Sequence, residues 1–248
     1  MKRKLLSALL LLVLSISVNA QVDTVNAINN KLLLQNLKEG THTYLVYMTD
    51  SLMAKRSIGD IWKRTTKFTT FHQQPVVEFK WEWLHADSTF ATIINICDRK
   101  TLAPIYHYAN YKGRGVFAHD FRDGFMIPTD TIKNNMATKK TKVALTIPII
   151  SWEQDLETYA LLPIKKVGQK FDISFFDPNE VKPSYHTYEV VGKEDLAINS
   201  EMKVKCWLLK IKYTPDSYAT FWLTEKNKEV VKMQEYFKGK YRVKVLQY

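Results

Sequence analysis

Between residues 76 and 84 the chain reads V-V-E-F-K-W-E-W-L. Val77, Phe79, Trp81 and Trp83 fall on one parity, and Glu78, Lys80 and Glu82 on the other. A period of two is that of a strand with one buried and one wet face. Looser versions of the same alternation predict strands over 41–49, 61–71, 89–97, 102–111 and 116–121. A second set follows over 170–176, 184–191, 204–213, 218–224, 230–237 and 241–246. Turn residues punctuate them: 85–88, Gly113-Arg114-Gly115, Lys226-Asn227, Gly239-Lys240, and Asp123-Gly124, a dipeptide suited to tight reversals. Pro104 inside one strand implies an edge, a bulge or a late strand start.

One segment breaks the alternation. Ser151 and Gln154 stand in capping-box spacing, and Trp152, Leu156, Tyr159 and Ala160 form one apolar stripe before Pro163. This predicts a helix over 151–162. Ile28, Leu32 and Leu33 suggest a second within 25–37, and residues 130–146 read as a polar, Lys-rich loop. Strand and helix do not alternate repeatedly, so a parallel sheet is not expected. No repeat, low-complexity tract or linker divides the chain. The expected fold is mostly β: a single curved antiparallel sheet, half-barrel or open barrel, with one or two helices packed on the concave face.

The N-terminus changes the picture. Lys2, Arg3 and Lys4 precede an apolar run over 5–18, and Val18-Asn19-Ala20 supplies a cleavage site. The run is shorter than the roughly 20 residues of a spanning helix, so it reads as a secretory signal peptide over 1–20, with a single β-rich domain over 21–248. The expected location is periplasmic or secreted, with no transmembrane segment after cleavage. Removal of three cations lowers the formal net charge from +11 to +8. Lys139, Lys140 and Lys142, and Lys165-Lys166, read as solvated loops; no nucleic-acid motif appears.

Chemistry is sparse. Cys97 and Cys206, in an oxidising compartment, either pair or stay as buried thiols. Six histidines show no metal-ligand spacing. With a three-residue turn at 113–115, His107 and His119 would share a face on a diagonal of about 7–8 Å, two ligands without a third. Glu153, Asp155 and Glu157 answer the dipole of the predicted helix. There is no G-x-S-x-G and no carboxylate pair calling for acid–base work, so neither an enzyme nor a cofactor is expected. The aromatic residues are more informative. Trp81, Trp83, Tyr106, Trp207 and Trp222 are candidate walls of an apolar cavity, with Phe79 and Leu209 beside them. Trp152, Leu156 and Tyr159 would cover it, and Lys165 and Lys166 would hold an anionic head group at its rim.

Several segments resemble an uncharacterised family of exported bacterial proteins. They are Asp98-Arg99-Lys100-Thr101-Leu102-Ala103-Pro104-Ile105, Leu161-Leu162-Pro163-Ile164 with Gly168 and Phe171, Tyr188-Glu189-Val190-Val191-Gly192-Lys193-Glu194, and Phe221-Trp222-Leu223-Thr224 through Val231-Lys232-Met233. That family is similar in architecture to the lipoprotein-localisation carriers. The resemblance implies a half-barrel cavity for a lipid or other apolar molecule and supplies no catalytic residue. The competing expectation is a structural or interaction module for an envelope protein or glycan. A continuous apolar cavity would favour the first, and a filled interior the second.

Overall fold

A computed structural model describes residues 22–248, apart from Asn30, Ser51, Met53, Ala54, Ile58, Lys140, Thr141 and the side chains of Thr138 and Lys139. The expected signal peptide lies outside the described residues. Fifteen strands of the described chain form one sheet. In chain order they begin β1 (Val22–Val25), β2 (Gly40–Asp50), β3 (Asp60–Phe71), β4 (Gln74–His85), β5 (Ser88–Asp98), β6 (Pro104–Tyr111), β7 (Gly115–Arg122), β8 (Phe125–Pro128) and β9 (Val143–Ala144). After β10 (Ile150–Ser151) come β11 (Lys170–Ile173) and β12 (Phe175–Phe176). The meander then resumes with β13 (His186–Ala197), β14 (Lys203–Thr214), β15 (Ser217–Thr224), β16 (Val230–Phe237) and β17 (Lys240–Gln247). Only β10 and β12 stand outside, as a two-stranded parallel pair.

The order across the sheet is β1-β11-β13-β14-β15-β16-β17-β2-β3-β4-β5-β6-β7-β8-β9. Two antiparallel meanders are joined by β17 pairing with β2, Leu246 opposite Tyr44 and Lys244 opposite Val46. The expectation of an antiparallel sheet holds, with one parallel exception at the edge, where β1 runs beside β11. That strand ends at Val25, where the segment read as a second helix begins; among the described residues of that segment only a 3₁₀ turn, Leu34–Asn36, forms. Pro104 opens β6 beside a bulge at Ile96/Cys97, which spares its missing N–H.

The sheet is curved but does not close through its own ladder. Its two edges are laced by residues 145–151. Leu145 N donates to Gly124 O at 2.8 Å on one side, and Ile150 N donates to Ser174 O at 3.0 Å on the other. Ser174 Oγ adds a 2.6 Å bond to Pro148 O. The chain then turns inward through a 3₁₀ turn (Trp152–Gln154) into α1 (Asp155–Ala160).

α1 is shorter than expected, and Ser151 does not cap it: neither the 3₁₀ turn nor α1 has a side-chain cap bond. Ser151 Oγ bonds Asn95 Oδ1 instead, at 2.9 Å. Much of the insert is buried, with Gln154 and Thr158 at 0% exposure. Charge anchors it. Arg64 on β3 grips Glu157 with Nε and Nη2 at 2.9 and 2.6 Å, donates to Glu153 O at 2.6 Å, and lies 3.0 Å from Asp155 Oδ1. Burial opposes the charges of Arg64 and Glu157, but their mutual attraction outweighs it, raising the Arg64 pKa and lowering that of Glu157.

Candidate functional site

The ladders sort the expected wall residues by face. Direct antiparallel partners share a side, and the side facing α1 carries Trp62 opposite Trp83, Arg64 opposite Trp81, Trp207 opposite Leu223, and Leu209 opposite Phe221. Phe79 and Leu209 are inward and buried, as expected. Trp222 and Tyr106 are corrections. Trp222 pairs with Leu208 and Lys232 on the outer parity, with Lys232 Nζ 4.4 Å from its ring. Tyr106 also faces outward and stacks on Phe71 at 5.9 Å. A single-residue change of parity reverses a side chain's face, and the alternation of an isolated strand does not say which parity is inner.

Beneath α1 the aromatic rings around Tyr159 pack closely. Tyr159 meets Phe221 at 4.6 Å, Tyr188 at 5.1 Å and Phe175 at 5.8 Å, and its hydroxyl donates to Tyr188 Oη at 2.9 Å. Leu156 is buried in the same core, and Trp152 sits between Phe175 and His186. Trp81 and Trp83 cluster around Trp62 with centroids 4.6 and 5.2 Å away. Cys97 and Cys206 are both free, on opposite faces: Cys97 pairs with inward Val77 and donates to Gln154 Oε1 at 3.0 Å, while Cys206 pairs with outward Thr224.

Among the described residues, two cavities stand out. One, of about 500 Å³, is a groove at the laced seam. Ala27 and Ile28 after β1, Ala103 and the first residue of β6, Pro104, with Phe121, Leu145 and 147–149, give it apolar walls, and Arg122 at the end of β7 and Asp123 in the turn after it supply charge at the edge. Lys165 and Lys166 do not line it; the charged side chains in its lining are Arg122 and Asp123. Ile28 is 82% exposed.

The second cavity, of about 260 Å³, has Glu153 and His107 in its lining, with Trp83, Tyr111 and Phe117 as rings and Arg114 beside them. His107 and His119 are direct partners across β6 and β7, with ring centroids 5.7 Å apart, not the expected diagonal. The reversal places Tyr111 opposite Gly115, so the turn is centred one residue earlier than the Gly-Arg-Gly reading. His107 Nε2 lies 2.9 Å from Glu153 Oε2, and Asn95 Nδ2 donates to the same oxygen at 3.3 Å. Burial pushes the Glu153 carboxyl upward; His107, Asn95 and Ser151 outweigh it and hold the pKa below the ordinary value. Among the described residues no group of three or more His, Cys, Asp or Glu side chains is placed to hold a metal ion. The role of Glu153 was invisible in the sequence because helix-dipole compensation accounted for it. The only prior signal was the shared face of His107 and His119.

Among the described residues no helix is long and apolar enough to cross a membrane. No curated protein matches the chain. Of solved structures, it is similar to a beta-barrel-like protein of domain of unknown function DUF1849 from Brucella abortus, at 11% identity and TM-score 0.46, covering 84% of this chain and 97% of that one. It is also similar to a DUF1329 family protein from Desulfovibrio piger, at 9% identity and TM-score 0.34, covering 89% and 88%. The family described as protein of unknown function (DUF3108) matches residues 43–245, from β2 into β17, and the chain belongs to that family.

Proposed function

We propose that the protein is an exported, non-enzymatic envelope component that binds an apolar, lipid-like molecule in the seam groove. The supporting observation is the groove: its volume falls within the range of about 300–1,000 Å³ common to small-molecule sites, and its walls are mostly apolar. The expected aromatic wall residues do not line this groove, and Trp83 lines the smaller cavity instead. Each methylene entering the groove gains about 0.8 kcal/mol, so an acyl chain needs only a modest polar anchor. The exposed Arg122 guanidinium can pair with an anionic head group. Export rests on the basic, apolar and small-residue succession over 1–20.

The test is native mass spectrometry of protein purified from its own host, followed by titration with a fluorescent fatty acid. A co-purifying lipid mass, saturable binding, and its loss in Ala103→Trp are expected. Absence of both mass and saturation would reject the reading. The close packing beneath α1 then favours an interaction module whose partner inserts an apolar segment into the seam.

A further inference from the structure

The Glu153 cavity lies apart from the seam groove and has no part in the function proposed above. Its carboxylate is unusual in how its two oxygens are used. Oε2 lies 2.9 Å from His107 Nε2 and accepts from Asn95 Nδ2 and, at 3.5 Å, from the hydroxyl of Ser151. Among the described residues no donor reaches Oε1. The side chain keeps 13% of its surface, and Glu153 lines the cavity. A buried charged group is retained only where partners compensate it, and here one half of the carboxylate remains an open acceptor.

The walls narrow the choice of ligand. Trp83, Tyr111 and Phe117 offer flat apolar surface, and Trp83 is itself fixed by an Nε1 bond to Asp60 Oδ2 at 2.9 Å. Arg114 lies over Tyr111 with Cζ 5.3 Å from the ring centre. A cation beside the cavity disfavours a cationic ligand and offers donors to oxygen acceptors. A volume of about 260 Å³ is below that of typical drug-sized sites and suits one ring. A neutral ring with an apolar C–H face, hydroxyl donors and oxygen acceptors uses every one of these features. We propose that this cavity binds a single neutral sugar ring, with a hydroxyl donating to Glu153 Oε1, the ring face against the aromatic wall, and Arg114 donating to a ring substituent oxygen.

The experiment uses the full mature chain labelled with fluorotryptophan, the Trp83 resonance being identified by Trp83→Phe. Glucose, galactose and N-acetylglucosamine are titrated separately, with ethylammonium and zinc ion as comparators. At least one sugar is expected to shift Trp83 saturably. Glu153→Gln and Tyr111→Ala should each weaken binding about tenfold to hundredfold, the effect of losing a hydrogen bond to a charged group or a wall ring. Ala103→Trp, which blocks the seam groove, should leave it unchanged, so failure here and failure of lipid binding are read separately. Circular dichroism checks folding. Where Glu153→Gln does not fold, Tyr111→Ala decides. No saturable shift with any of the three sugars, unaltered binding in a folded variant, or tighter response to ethylammonium or zinc would overturn the proposal.

Discussion

Two buried cations inside this sheet have opposite fates. Arg64 is 3% exposed yet fully engaged by Glu157, Asp155 and a carbonyl. Arg64→Met should cost about 3–5 kcal/mol in urea unfolding, because it strands two buried carboxylates. Lys244 is also buried, with Nζ 4.4 Å from the centre of the Trp62 ring. Burial lowers its pKa to about 7; Asp155 and Glu235 resist, while Arg242 and Arg64 reinforce the shift. The unfolded chain holds this proton up to the ordinary value of 10.5. Between those values the unfolded state binds more protons, so stability rises with pH across the window. Lys244→Met should flatten that rise and stabilise the protein at neutral pH, measured as denaturant midpoints over a pH series. Burial also raises the pKa of both thiols. Unreduced protein should show two titratable thiols in denaturant and little reaction before unfolding. The buried thiols were one of two readings of the sequence, but the charged pair was not legible: sequence shows which residues are charged, not which charges a folded interior will enclose.

At the level of elements, most strands could be read because alternation reports a half-buried ribbon directly. The span Val230–Phe237 coincides with its expectation. The failures have physical causes. β1 was hidden because a four-residue edge strand carries too little alternation, and Ile28, Leu32 and Leu33 mimic a helical stripe without forming one. The helical insert was found, but its first turn is 3₁₀ and its leading serine serves the sheet. Ser151→Ala should therefore cost about 1–3 kcal/mol by leaving buried Asn95 short of a partner. Ser151→Asp separates the two roles. Aspartate is a good N-cap, yet here it would face Glu153, so it should destabilise more than alanine. Thermal unfolding of the two variants decides; equal stability of Ser151→Asp and wild type would restore the capping role.

For the whole molecule, the sequence conveyed a curved antiparallel sheet around a helix but not what fills it. An aromatic-rich core and an aromatic-lined cavity have the same pattern, and only packing distinguishes them. The seam groove is assembled from four separate stretches of chain, a proximity that no local motif records. The insert's acidic anchors also set the acid response. Glu153 and Glu157 have pKa values below the ordinary 4.5, so their pairs stabilise the fold above it. That contribution is lost as pH falls through the lowered values. Circular dichroism below pH 4.5 should show an acid transition that Glu157→Gln, already deprived of its ion pair, enters from a lower starting stability. The pairing of β2 with β17 has a further meaning in time. β2, near the start of the sheet in sequence, has its neighbour in the distant β17, so the two meanders cannot join until β17 is in place. Such distant pairing slows folding, and a chain without β17 in place has two unclosed sheet edges at its middle. Removal of β17 should therefore expose the facing edges of β16 and β2 and leave a product that limited proteolysis degrades faster than the full chain.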